Sequence, residues 1–350
     1  MTNRENYLRA VRFEKPDFIP MSFHINPACF DFYEQDALFE LLESHSFLFP
    51  DFERPEGIYR PEFSPITRSA KPFLDDFGCL WKTACDGLVG TVVQHPLNDW
   101  DDFPNWMIPD PEICSGIGPL NWVEQEKNIR EKREKGELCS GGLRHGHTFL
   151  QLSDLRGYQE LIFDFADEEP LIWKLLEQVE QFNMGIIRRY LEIGVDVMMY
   201  PEDLGMQKGP MVSPGFFRKY IKPSYQRMMK PARDQGVLIH MHSDGDLHDL
   251  IDDIIDGGVD IINLQDLVNG VDWIAGRFKG KTCVDLDIDR QNITVFGSPR
   301  DVEEMIAQEV KTIGSPQGGL MMVFGMYPGM PLENAKALMD AMEKYAYYYN

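Results

Sequence analysis

The chain has 350 residues, a hydrophobic share of 43% and a formal charge of −23. That acidity excludes the Lys/Arg-rich surfaces that hold nucleic acid or anionic membranes, and it disfavours a polyanionic substrate unless a local basic pocket exists. Length and composition suit a soluble protein with a sizeable core, and a single α/β barrel can run to this size.

Near the start, "FIPMSFHIN" reads as a first strand, followed by a helical stretch rich in Phe and Leu. From about residue 50 to 135 the chain is crowded with Pro, Asp and aromatics, as in "HPLNDWDDFPNWMIPDPE". It is expected to be an irregular cap rather than a separate domain. Within it, "EQEKNIREKREKGE" reads as a solvated helix face.

From about residue 160, helix and strand alternate. "EEPLIWKLLEQVEQFNMGIIRRYLEIG" has helical spacing and closes on Gly194, and "VDVMMYPED" follows as a buried strand. Ser213 and Pro214 open the helix "SPGFFRKYIKPSYQRMMKPARDQG". Then come the strand "GVLIHMHSDGD", the helix "DLHDLIDDIIDGG", the strand "VDIINLQD" and a helix near "VDWIAGRFKG". The strand "KTCVDLDID", the helix "SPRDVEEMIAQEVKTIG", the strand "GGLMMVFGM" and the helix "PLENAKALMDAMEKYAYYY" complete the series. Repeated strand–helix units predict a parallel sheet with right-handed crossovers, and their number favours a distorted (β/α)8 TIM barrel as one domain over 1–350.

Six cysteines without a CxxC pair read as reduced thiols in a cytoplasmic protein. No run of eighteen apolar residues offers a membrane span, and the charged opening "MTNRENYLRAVRFEKPD" does not read as a secretory signal.

In a parallel barrel the chemistry gathers at the C-terminal ends of the strands. Those ends supply Glu202 and Asp203 from "MMYPEDLG", His242 and Asp244 from "HMHSDG", and Asn263 and Gln265 from "INLQD". They also supply Asp285, Asp287 and Asp289 from "CVDLDID", and His24 and Asn26 from "SFHINP". In "GVLIHMHSDGD", strand alternation places His240, His242 and Asp244 on one face. Carboxylates gathered in a cavity are costly unless protonated or met by a cation, so a divalent metal at His242 and Asp244 is expected. Glu202, or one of Asp285, Asp287 and Asp289, is the candidate third ligand; Glu202, Asp203, His240 and Asp289 are the catalytic candidates. Asp244 as a helix cap and His240 as a core histidine are the structural alternatives.

The order of motifs resembles the uroporphyrinogen decarboxylase superfamily. It is carried by "LRAVRFEKPDFIP", the "HPLNDWDDFPNWMIPDPE" segment, "EDLGMQKGPMVSPGFFRKYIKPSYQRM" before "HMHSDGDL", "LDIDRQNITVFGSPRDVEEMI" and "YPGMPLENAKALM". The resemblance implies two chemistries, metal-free decarboxylation of uroporphyrinogen and zinc-dependent, corrinoid-linked methyl transfer. The first is disfavoured, because "SFHINPACF" lacks the arginine by which the decarboxylase grips its eight-carboxylate substrate. The second branch is implied to hold zinc by a His-x-Cys on this strand and a cysteine near the last one. Here Asp244 replaces the first thiolate, and "MVFGMYPG" has no second.

Harder ligands leave the ion more electrophilic, suited to polarising an ether oxygen. The expected activity is therefore O-demethylation: methyl transfer from a small, aromatic methyl ether to a cobalt(I) corrinoid (cobalamin) carried by a partner protein. A homodimer is compatible with this reading. Phe23, Met199, Tyr200, Met206, Phe324 and Tyr327 are expected to line an aryl pocket, with His24, Asn26, Asn263 and Gln265 as its polar members. The competing expectations are a decarboxylase-like lyase and a non-catalytic binding barrel.

Overall fold

The computed structural model describes residues 2–350. Its strands are β1 (Met21–Ile25), β2 (Phe73–Leu74), β3 (Leu80–Lys82), β4 (Thr91–Gln94), β5 (Ser140–Gly142), β6 (Val197–Pro201), β7 (Leu238–Ser243), β8 (Ile261–Gln265), β9 (Cys283–Asp287) and β10 (Leu320–Met326). The chain divides into two compact units. The first takes the chain up to Thr67, Cys85–Leu88 and Asn263–Asn350; the second takes Arg68–Ala84 and Val89–Ile262.

In the first unit, β10 pairs in parallel with β1 on one side and β9 on the other, with Phe23 opposite Phe324 and Asp287 opposite Val323. Strands buried on both faces read as continuous apolar runs, which explains "LMMVFGM". The helices Pro299–Ile313 and Leu332–Ala346 pack together there, the former opened by Ser298 in a capping box with Asp301.

In the second unit, β6 lies in parallel between β5 and β7. With β8 these make seven parallel strands of one sheet, the expected α/β class of a distorted barrel, with seven paired strands rather than eight. The long helix Pro170–Ile193 ends at Gly194 as expected. The helix opened by Ser213 contains a π-turn over Phe217–Ile221. Pro223 lies just beyond it; lacking an N–H and crowding the carbonyl four residues back, it is the local cause.

Two findings depart from expectation in the second unit. Strand β5, "SGG", carries no alternation to betray it. A Cβ on Gly141 would lie 2.6 Å from Cδ1 of Tyr190, so the ring packs directly on the backbone. The region read as an irregular cap also holds an antiparallel sheet, β2-β3-β4, with Trp81 buried between Phe73 and Val92. Strands of two to four residues are too short to display a period. The charged stretch forms the helix Trp122–Glu134, burying only Trp122 and Ile129. Among the described residues five of six cysteines are buried without a disulfide, and no helix is long and apolar enough to cross a membrane.

Candidate functional site

The ends of β6 and β7 carry parallel tetrads, Glu202-Asp203-Leu204-Gly205 and His242-Ser243-Asp244-Gly245. They are laced together: Glu202 N donates to the His242 carbonyl at 2.9 Å, Leu204 N to Ser243 Oγ at 2.9 Å, and Gly205 N to the Asp244 carbonyl at 3.1 Å. The two glycines touch backbone to backbone. A Cβ on Gly205 would lie 2.5 Å from Asp246 N, and Gly245 has φ +84°, so only glycine allows this closeness. Asp244 N in turn donates to Asp203 Oδ1 at 3.1 Å.

A third segment completes the group. The chain leaving β5 runs beside β6 through Leu143 N to the Met199 carbonyl (3.0 Å) and Gly146 N to the Pro201 carbonyl (2.9 Å). This carries His145 to Asp203, with Nε2 3.2 Å from Asp203 Oδ1. His242 Nε2 lies 3.5 Å from the same oxygen, and the two imidazole rings are 5.6 Å apart. One atom from each of the three residues lies within 4.8 Å of the others. Burial works to raise the Asp203 pKa, but the hydrogen bonds from His145 and His242 outweigh it and hold the carboxyl well below its usual range. The side chains of His145, Asp203 and His242 remain 51%, 30% and 20% exposed, so the group opens to solvent.

This donor set fits a zinc ion. Ligands held at about 2.1 Å by one tetrahedral zinc stand roughly 3.4 Å from one another. The separations of 3.2 and 3.5 Å about Asp203 match that spacing. Two imidazoles with one carboxylate also leave a fourth position for a substrate oxygen.

The other expected residues fall in different places. Asp244 stands next to the group, its Oδ1 3.9 Å from His242 Nε2. Glu202 is fully buried and turned inward. Its Oε1 accepts Thr148 N at 2.8 Å and Leu150 N at 2.9 Å, capping the helix Phe149–Arg156, and its Oε2 accepts the Tyr225 hydroxyl. Burial raises its pKa to about 7 despite those bonds. His240 is buried two residues deeper along β7. Tyr200 is a core residue whose hydroxyl donates to the Met228 carbonyl, whereas Met206 is exposed.

In the first unit, Asn26 bridges the Gly87 carbonyl and Ala28 N, and His24 is exposed. Asn263 donates to the Asp285 carbonyl, and Gln265 ends β8 by accepting from Asn269 through its carbonyl. Asp287 pairs with Arg290 at 2.7 Å. Asp289 is buried and accepts the backbone N–H groups of Gln291, Asn292 and Thr294, a structural commitment. Phe324 packs on Phe23, 5.1 Å between rings, and with Tyr327, Arg290 and Thr294 lines a cavity of about 110 Å³. His145 was missed. Its "RHGHT" follows a strand too glycine-rich to recognise, so nothing located it at a strand end.

The sequence pattern of the family "Uroporphyrinogen decarboxylase (URO-D)" matches residues 148–345. The chain belongs to the URO-D family. A uroporphyrinogen decarboxylase of Thermus thermophilus is 26% identical over 185 residues, 51% of this chain and 50% of that one. Another from Alkalilimnicola ehrlichii is 20% identical over 265 residues, covering 73% and 69%. The chain thus spans about half the length of the Thermus relative it matches. A methyltransferase from Methanosarcina mazei shares the fold over 99% of both chains, with a TM-score of 0.68 and 16% identity. The URO-D fold therefore carries decarboxylase names among relatives in sequence and a methyltransferase name among solved structures.

Proposed function

We propose that this URO-D family member is a zinc-dependent methyltransferase that demethylates a small, aromatic methyl ether and passes the methyl group to a cobalt(I) corrinoid on a partner protein. The observation that carries the reading is the His145–Asp203–His242 group, accessible and spaced for a tetrahedral ion. A methyltransferase of the same fold lends support.

His145, Asp203 and His242 would hold the ion, which when bound supplies Lewis-acid polarisation of the ether oxygen. Asp203 provides the single negative charge of the set, kept ionised by its imidazole partners. Glu202, expected as a ligand or a catalytic residue, acts from behind by fixing the strand end that bears Asp203 to the helix Phe149–Arg156. Asp244 holds Asp203 through its backbone N–H and sets a second carboxylate beside His242. In the transfer the carbon–oxygen bond breaks with its electron pair left on oxygen. The corrinoid, as methyl acceptor, would supply the electron pair for the new bond to carbon, and the oxygen takes a proton from water at the open rim. The stretch "PEDLGMQKGPM" beside the group is the face offered to the corrinoid carrier.

Two measurements test this. Purified protein should hold close to one equivalent of zinc, or take it up on addition. With cobalt(I) corrinoid and a panel of methoxyarenes it should then yield the methylated corrinoid, read by its absorption change. Less than about a tenth of an equivalent, with no uptake, would sink the metal reading. A full zinc complement without methyl transfer to any acceptor would favour the non-catalytic barrel. Release of carbon dioxide from uroporphyrinogen would restore the decarboxylase-like alternative.

A further inference from the structure

We propose that Arg144 is a positioning residue whose buried guanidinium fixes the backbone of His145 and so aims that imidazole at Asp203. The inference rests on the metal reading above and adds to it a residue that never touches the ion.

Arg144 directly precedes His145, and its side chain is only 4% exposed. Its Nη2 donates to Asp154 Oδ2 at 3.3 Å, and its Nη1 lies 3.6 Å from Asp75 Oδ2. The planar group also stands over the rings of Phe77 and Trp81, at 5.7 and 5.8 Å from their centroids. Carboxylates and rings together leave the guanidinium one orientation. Its remaining direction is used on the adjacent backbone, where Nε donates to the His145 carbonyl at 3.3 Å.

Each anchor is itself immobilised. Asp75 is fully buried and accepts Phe77 N (3.0 Å), Cys79 N (2.8 Å) and Trp81 Nε1 (2.9 Å). Asp154 belongs to the helix Phe149–Arg156, the helix Glu202 caps, and its carbonyl accepts His95 Nδ1 at 2.8 Å. The small sheet β2-β3-β4 is thereby connected through one arginine to the loop that carries His145. This gives the sheet a role in the site that its distance in sequence conceals. A buried arginine serving only as counter-charge for Asp75 and Asp154 would not need to spend Nε on the carbonyl of the neighbouring histidine.

The test uses cobalt(II) in place of zinc, because its visible absorption reports ligand number and type without any turnover. Wild-type protein and His145→Ala define the spectra and affinities with and without the imidazole. Arg144→Met removes the whole clamp. Arg144→Lys keeps a buried cation for the two aspartates but has no fork to reach the carbonyl as well. Both variants should shift the cobalt spectrum toward that of His145→Ala and weaken cobalt binding by about 10- to 100-fold, the range for groups that orient a ligand. Arg144→Lys should keep the wild-type circular dichroism.

Either variant, folded and showing the wild-type cobalt spectrum and affinity, would overturn the inference while leaving the metal reading intact. Loss of the fold in both would equally overturn it, reducing Arg144 to a core residue. Failure of the wild-type chain to bind cobalt at all would instead strike the metal reading, and this inference with it.

Discussion

Two regions gather carboxylates, and they handle them in opposite ways. In the first unit, Asp266, Asp289 and Glu309 are buried. Asp266 and Asp289 spend their oxygens on backbone N–H groups, including Asp289 N on Asp266 Oδ2 at 2.9 Å. Glu309 meets no hydrogen-bond donor, and burial, then repulsion from Asp266, pushes its pKa well up. In the second unit, Asp203 faces two imidazoles at an open rim and its pKa is pushed down. A carboxylate that stays ionised, accessible and flanked by nitrogen ligands is equipped for a cation. A carboxyl that is buried and capped by backbone serves the architecture. Asp289 and Asp203 look alike in sequence, each at the end of a strand, and only their partners separate them.

Substitutions put this contrast to the test. The largest effect is expected at the open group: Asp203→Asn and His242→Ala should each lower zinc affinity by roughly 100-fold or more, since a lost ligand costs more than a lost supporting bond. The apparent melting temperature of the metal-free protein should change little, so chelator competition and calorimetry together would expose a purely structural role. Asp289→Ala should do the reverse. It orphans three backbone N–H groups and should cost about 2 kcal/mol in a urea titration while zinc content holds. If instead metal is lost and the midpoint is unmoved, the division between the two regions collapses.

Smaller effects refine the picture. Asp244→Asn retains the backbone N–H that holds Asp203 and removes one neighbouring charge, so zinc affinity should drop by about tenfold. A drop as large as that of Asp203→Asn would promote Asp244 to a ligand. Glu309→Gln mimics the protonated acid. Because the folded pKa of Glu309 lies above its unfolded value, its stabilising contribution is complete below about pH 4.3 and fades as pH rises toward the raised value. The variant should therefore be more stable than wild type at pH 8 by about 1 kcal/mol, with little difference at pH 4. Parallel melting curves across that range that never diverge would argue that Glu309 is not held protonated.

Most of the fold was legible where apolar periodicity extends over a full element. "GGLMMVFGM" and "SPRDVEEMIAQEVKTIG" declared themselves, and Ser213–Pro214 marked a helix start. What escaped has a common cause in brevity or glycine. Strand β5 is three residues without a branched side chain because Tyr190 lies against it, and the β2-β3-β4 strands are too short for alternation. The site was half legible for the same reason. Asp203 and His242 end strands that could be recognised, whereas His145 follows one that could not. Glu202 was singled out, with Asp203, as an acid at a strand end, but neighbours on a strand point to opposite faces, and Glu202 faces the helix it caps.

The π-turn at Phe217–Ile221 sets the angular phase between two halves of one helix. Phe216 ahead of it and Tyr220 within it pack on Phe165; beyond it, Tyr225 reaches Glu202. A π-turn is in effect one residue inserted into an α-helix, which rotates everything downstream by about 100°. An unbroken α-helix could satisfy the Phe165 contact or the Glu202 hydrogen bond, but not both at once. Length at this point is therefore less forgiving than composition. Many side chains could be exchanged along the segment, but removal of a single residue would swing the Tyr225 hydroxyl off the carboxyl behind the rim.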